Sequence, residues 1–302
     1  MPDFTAHFLL GEELCRRLPE EGRKAALRVP CAFYWGLQGP DPLFYGGPRL
    51  SGYGSELHRR DPEKLLRLLG LQVLRAQGKR RDILVSYLLG FLCHYAMDAR
   101  LHPYIYCLEE RLRTGRSPKE WRALHGEIEC RMDEELYLLK KKEPILRFRP
   151  EMYCLESEVI AALSRLYRAV IYGVLGVRET PAGIAQAFRL CLRVAQLVYT
   201  PQARMCRPVL ALIERTAGQP GVFSSHIKRC NRRGDILNLR HAAWRNFSEP
   251  DTERFDSVPE LFEQAVQDAQ RLCMRFLSSL KEGHCPQLSA LPAFDAGNFK
   301  RF

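Results

Sequence analysis

The run Gly90-Phe-Leu-Cys-His-Tyr-Ala-Met-Asp-Ala-Arg-Leu-His-Pro103 is largely apolar and carries three metal-binding side chains at a fixed interval. His94, Asp98 and His102 recur every fourth residue, so on an α-helix they occupy neighbouring positions of one face. Two imidazoles and a carboxylate converging there make a divalent-metal site. Pro103 disfavours helix at the residue before it. The helix is therefore predicted to end near His102, with that side chain on the exit turn. Further on, His125-Gly-Glu-Ile-Glu129 supplies a second imidazole–carboxylate pair one turn apart, in a chain with only eight histidines.

Outward from this run the pattern stays helical. Apolar residues recur at i, i+3, i+4 and i+7 over Leu9–Leu18, Pro62–Arg75, Asp82–Asp98, Pro118–Lys140, Glu156–Val174, Pro181–Val198, Pro201–Thr216 and Ser257–Leu280. Alternation of the strand type is scarce. Ser117-Pro118 places a capping serine before a proline at the first helical position, and Ser257-Val-Pro-Glu260 is a capping box. Gly36–Gly54, with Gly39-Pro40-Asp41-Pro42 and Gly46-Gly47-Pro48, is predicted as loop. The polar stretch Cys230–Arg245 is expected to be an ordered connection near the site. The tail after Pro286 is weakly patterned and expected to be loosely held. The reading is an all-α, multi-helix single domain over residues 1–302, with metal-ligand motifs in 1–135 and helical completion over 150–285.

Apolar content of 46% and charged content of 27% are those of an ordinary globular chain. The formal net charge of +11 favours phosphate-bearing partners, although Arg-rich helices with solvated faces produce the same excess. Eleven cysteines are dispersed, without a Cys-x-x-Cys pair, and read as free buried thiols in a reducing compartment. The start of the chain has no basic segment followed by an apolar one. The longest apolar runs, Ile83–Cys93 and Ala169–Val177, are too short to span a bilayer. These features give the expectation of a cytoplasmic protein without a transmembrane segment.

The candidate metal ligands are His7, Asp41, His58, His94, Asp98, His102, His125 and Glu129. Imidazole with carboxylate, without thiolate, suits hydrolytic zinc, and eight ligands exceed what one tetrahedral ion needs. Two or three zinc ions sharing a bridging carboxylate would use them. Taken singly, each has an ordinary reading: His94 with Asp98, and His125 with Glu129, are also simple intrahelical pairs. His226, His241 and His284 are read as ordinary core or surface residues. The aromatics Phe4, Phe33, Tyr34, Trp35, Phe44, Tyr45 and Tyr53 fit core and loop packing better than a pocket lining.

In order along the chain come a histidine near the N-terminus, an aspartate after a Gly-rich stretch and a lone histidine. His-x3-Asp…His and His-x3-Glu follow. This order resembles the zinc-dependent phospholipase C family, which shares its superfamily with the single-strand-specific zinc nucleases. The segment Asp235-Ile-Leu-Asn-Leu-Arg-His-Ala-Ala-Trp244 is similar to one in uncharacterised bacterial members. The resemblance implies that Asp41, His58 and His94 hold one zinc, with Asp98 bridging to a neighbour. It implies that His102, His125 and Glu129 hold a second, and His7 with Asp98 a third. The family completes that third site with an N-terminal Trp. This chain has none near its start, and Asp3 or the Pro2 amine would stand in that place. The choline-recognising aromatics of the secreted phospholipases are not reproduced.

What the resemblance implies chemically is a zinc-dependent phosphodiester hydrolase of the phospholipase C type, with Asp98 bridging and Asp41 as ligand or base toward water. Its substrate would be a phosphate ester, either a phospholipid headgroup with peripheral membrane contact or a nucleic acid. Two other readings stay open: a single-strand nuclease, which the positive charge favours, and a non-catalytic helical protein stabilised by metal.

Overall fold

Helix α6 (Gly78–Arg113) is the axis around which the other elements pack. At 36 residues it is about 54 Å long, and from Ile83 to Asp98 nearly every side chain is buried. The computed structural model describes residues 4–228, 234–246, 249–289 and 291–294. Before α6 come α1 (Phe4–Arg17), α2 (Glu20–Ala26), α3 (Pro30–Leu37), α4 (Gly47–Arg59) and α5 (Pro62–Leu74). After it come α7 (Pro118–Lys141), α8 (Ser157–Leu175), α9 (Pro181–Val198), α10 (Pro201–Thr216) and α11 (Val258–Lys281). The described strands are β1 (Trp244–Asn246) and β2 (Glu249–Arg254), an antiparallel pair. The fold is all-α, and the buried side chains form one contiguous core with members from α1 through α11.

The predicted helix end at His102 is corrected: α6 runs straight through Pro103. Proline offers no N–H to the carbonyl one turn back, but Leu101, His102, Tyr104 and Ile105 are all buried around it. Packing outweighs the local preference, so His102 stays on the helical face it shares with His94 and Asp98.

The prediction of loop over Gly36–Gly54 is also corrected. Asp41–Tyr45 forms a 3-10 helix and α4 begins at Gly47, with Pro48 in its first turn. Proline pre-sets φ there and its missing N–H is one the helix would not have used. The glycines have two other tasks. Gly36 and Gly90 lie where α3 crosses α6, and a Cβ on Gly36 would sit 2.2 Å from the Tyr87 carbonyl oxygen. Gly39 has φ of +48°, and a Cβ there would sit 2.3 Å from the His94 ring. This close approach places Asp41 beside the histidines of α4 and α6.

Both predicted N-terminal signals are present: Ser117 with Glu120 and Ser257 with Glu260 form reciprocal capping boxes on α7 and α11. The ten described cysteines are free; Cys230 lies outside the described residues. No described helix is long and apolar enough to cross a membrane.

Candidate metal centre

All eight predicted ligands converge, from four helices and one 3-10 turn. His7 comes from the first turn of α1, Asp41 from the turn after α3, and His58 from the end of α4. His94, Asp98 and His102 come from α6, and His125 and Glu129 from α7. They form three groups, the first two sharing His94: His7, Asp41 and His94; His58, His94 and Asp98; and His102, His125 and Glu129. Within each group the candidate ligand atoms lie within 4.8 Å of one another.

Asp98 is the hub. Its Oδ1 lies 3.4 Å from His7 Nε2 and 3.9 Å from His102 Nε2. Its Oδ2 lies 3.2 Å from His94 Nε2 and 3.8 Å from His58 Nε2. Asp41 faces the same rings, 3.2 Å from His58 Nε2 and 3.8 Å from His94 Nδ1. Two ligands about 2.05 Å from a tetrahedral zinc are about 3.3 Å apart. Three of these six spacings, Asp98 to His7 and to His94 and Asp41 to His58, therefore suit ions placed between the donors.

The outer partners fix the rings. His58 Nδ1 bonds to the Gly54 carbonyl at 2.8 Å and His94 Nδ1 to the Leu37 carbonyl at 3.2 Å. Each nitrogen must donate to its carbonyl, so Nε2 turns toward the carboxylates, the arrangement metal-ligating imidazoles adopt. His125 Nδ1 is 2.5 Å from Glu109 Oε1, and its Nε2 is 2.9 Å from Glu129 Oε1. Glu109 was not among the sequence candidates. It precedes His125 by sixteen residues on another helix, so no local spacing announces it.

The electrostatics differ between the two ends. Burial, reinforced by the neighbouring imidazoles, holds His94 well below the ordinary histidine range. Burial likewise lowers His7 to about 3. Burial also pushes Asp98 up to about 7, and Asp41 upward. For His58 burial acts downward, but the close approach and charge of Asp41 outweigh it and the ring is held high. At the other end, burial of His125 is outweighed by the charges of Glu129 and Glu109, which raise it to about 9. Glu129 is correspondingly held well below the usual carboxylate range, the charge of His125 overcoming burial.

The donor set fits a metal on one further observation. The His94 ring is neutral and its Nδ1 proton is committed to Leu37, so Nε2 presents a lone pair to Asp98 Oδ2. Both atoms are buried and neither makes a hydrogen bond; nor does either oxygen of Asp41. Two acceptors facing each other in a dry site are costly. A cation between them removes that cost, as does a proton on Asp98.

Other groups near the centre escaped the sequence reading. Phe294, in the tail expected to be loose, is buried, with its ring 4.8 Å from that of His58 and 5.5 Å from that of His94. Tyr95 donates to the Pro292 carbonyl and anchors the same segment. Phe44 stacks on His58 at 5.6 Å, whereas Phe33 and Trp35 are core residues. Asp133 accepts the Thr5 and Ala6 N–H groups, which fixes the start of α1 and with it His7. His226, read as ordinary, packs its ring onto Gly126 beside His125. His241 and His284 are exposed.

A cavity of about 30 Å³, room for a water or two, lies between His7, Asp98, His102, Glu129 and Asp133. Met97, Leu101, Ile105 and Met132 form its apolar walls. Of the stretch Cys230–Arg245, residues 230–233 lie outside the described part, as do Pro2 and Asp3. The rest of the stretch supports α6, with Trp244 against Tyr104 and Arg111 bonded to the Ala243 carbonyl. None of its described residues belongs to a ligand group or lines the cavity.

No protein-family model, no curated protein and no solved structure matches this chain.

Proposed function

We propose that this protein is a zinc-dependent phosphodiester hydrolase, with two or three ions held by His7, Asp41, His58, His94, Asp98, His102, His125 and Glu129. The observation that carries the reading is the buried face-off between His94 Nε2 and Asp98 Oδ2, within a cluster of eight oxygen and nitrogen donors. Zinc held there supplies Lewis acidity, offsetting phosphate charge and activating water near neutral pH.

The chain's own residues do the rest. Asp98 offers its two oxygens to opposite sides, so one carboxylate serves adjacent positions. Asp41 faces His58 and His94 at the buried end and serves there as a ligand. Glu109 orients His125 and holds its Nδ1 proton, leaving Nε2 toward the centre. The apolar cavity walls exclude bulk water, which strengthens every charge interaction inside. The His125 side chain is 21% exposed while those of the other ligands are nearly dry. The scissile phosphate therefore approaches from the side of α7.

The test is metal counting by elemental analysis together with hydrolysis of bis(4-nitrophenyl) phosphate, followed by phospholipid and single-stranded DNA. Two or three zinc ions per chain with diester cleavage is the expected result; zinc-loaded protein inert on all three substrates would overturn it. Cleavage of DNA that falls steeply with salt would favour the nuclease reading, which the +11 charge supports. The non-catalytic alternative has one observation in its favour: Phe294 closes the first group as a structural site is closed.

A further inference from the structure

Helix α10 turns toward solvent the face that a surface helix ordinarily buries. Met205, Val209, Leu212 and Ile213 recur at i, i+4, i+7 and i+8 and are 79%, 62%, 63% and 57% exposed. Val222 and Phe223, in the turn that follows, are exposed as well. Single exposed apolar residues are common, but a stripe along one helix marks an interaction surface.

On α9 and α10 the exposed charges are of one sign, with Glu120 of α7 facing Arg215 at one edge. Between Pro181 and Thr216 the chain has five arginines and a single acid, Glu214. Glu214 is buried and turned inward, accepting the N–H groups of Gly221, Phe223 and Ser224. Arg207 is directed at the Ser224 carbonyl. Arg189, Arg193, Arg204 and Arg215 remain as exposed cations, with no exposed acid on either helix.

An apolar stripe rimmed by arginine suits a helix lying in the interface of an anionic bilayer, with its apolar side chains among the acyl chains and its cations at the headgroups. We infer that α10 and the turn after it dock this protein on an anionic lipid surface. A second copy fits less well, because a two-fold contact through this face would set like-charged rims against each other. Since no described helix can span a bilayer, the contact is peripheral.

The face is continuous with the metal centre. Arg215 reaches Glu120 at 3.7 Å. Gly221 packs on Ala123, where a Cβ would come within 2.3 Å, and His226 packs on Gly126. The turn therefore lies along the first turns of α7, beside the half-exposed Trp121 and the open ligand His125. A protein lying on this face would bring headgroup phosphates to that end of the centre.

The inference goes beyond the hydrolase reading and survives its failure, so its test is done in chelator. The protein is sedimented with phosphatidylcholine vesicles, with and without phosphatidylserine, and Leu212→Ser/Ile213→Ser and Arg204→Glu/Arg215→Glu are compared. Binding to the phosphatidylserine vesicles is expected, weakened on the order of tenfold by each double substitution. Unchanged melting temperatures, expected at exposed positions, would exclude misfolding. Wild-type protein that stays in the supernatant overturns the inference. So does equal binding by both variants. A wild-type dimer in light scattering that Leu212→Ser/Ile213→Ser converts to monomer overturns it in favour of self-association.

Discussion

The two ends of the candidate metal centre are built from the same kinds of side chain and behave differently. The His7, Asp41, His58, His94 and Asp98 end is dry, drawn from four segments, and covered by Phe294. Its imidazoles are mostly forced neutral and its carboxylates are raised. The His102, His125 and Glu129 end comes from two helices and opens at His125, whose pKa the Glu129 and Glu109 carboxylates raise to about 9. Burial dominates the first end and charge the second. Closed sites hold metal for structure, whereas catalytic ones keep a position open. Under the proposed hydrolase reading, that criterion would make the first end the store of metal and the second the place that receives substrate.

Substituting the shared residue should break the contrast most severely. Asp98→Asn should lose bound zinc at both ends and lower diester hydrolysis by more than about a hundredfold. Retained metal with retained activity would show that Asp98 does not bridge. Phe294→Ala should cost about 3 kcal/mol, as for an aromatic removed from a core. It should also speed zinc loss to a chelator from the first end only. An unchanged melting temperature and release rate would mean that the tail does not close the site.

Glu109→Gln acts on the open end alone. It keeps a hydrogen-bond acceptor but removes the charge beside His125, and zinc affinity there should fall about tenfold while the first end stays loaded. Competition titration with a chromogenic chelator reads the two classes separately; equal weakening of both would make the ends one unit.

The smallest effect lies outside the centre. Arg17 pairs with Glu263 and holds that carboxyl at about 2, below its ordinary 4.5. The folded value is the lower one, so the pair's contribution is present above about pH 4.5 and is lost as pH falls toward 2. Because the pair is solvent-exposed, Glu263→Gln should lower the melting temperature by a degree or two at neutral pH. The difference from wild type should vanish in acid. A gap that persists at low pH would assign the effect to packing.

Much of this was legible in the chain. The helices with strong 3.6-residue periodicity appear at the predicted places, and the capping serine Ser117 and the capping box at Ser257 both form, because these signals depend on residues within a few positions of one another. The short α2, α3 and α4 were not foreseen. α4 begins in a Gly-Pro context that reads as loop, and only its packing shows why helix prevails.

The candidate ligands could be named from residue type and four-residue spacing, since a helix converts spacing directly into a shared face. Spacing alone could not say that α3 crosses α6 glycine against glycine and so delivers Asp41 to His94. Nor could it show that Glu109 orients His125, that His226 packs beside it, or that Phe294 returns from the tail to cover His58. Helix formation and metal-binding chemistry are local properties that the sequence determines by itself. Burial, which shifts the titration of these groups, and closure, which separates the dry end from the open one, depend on segments distant along the chain and were decided only by the tertiary structure.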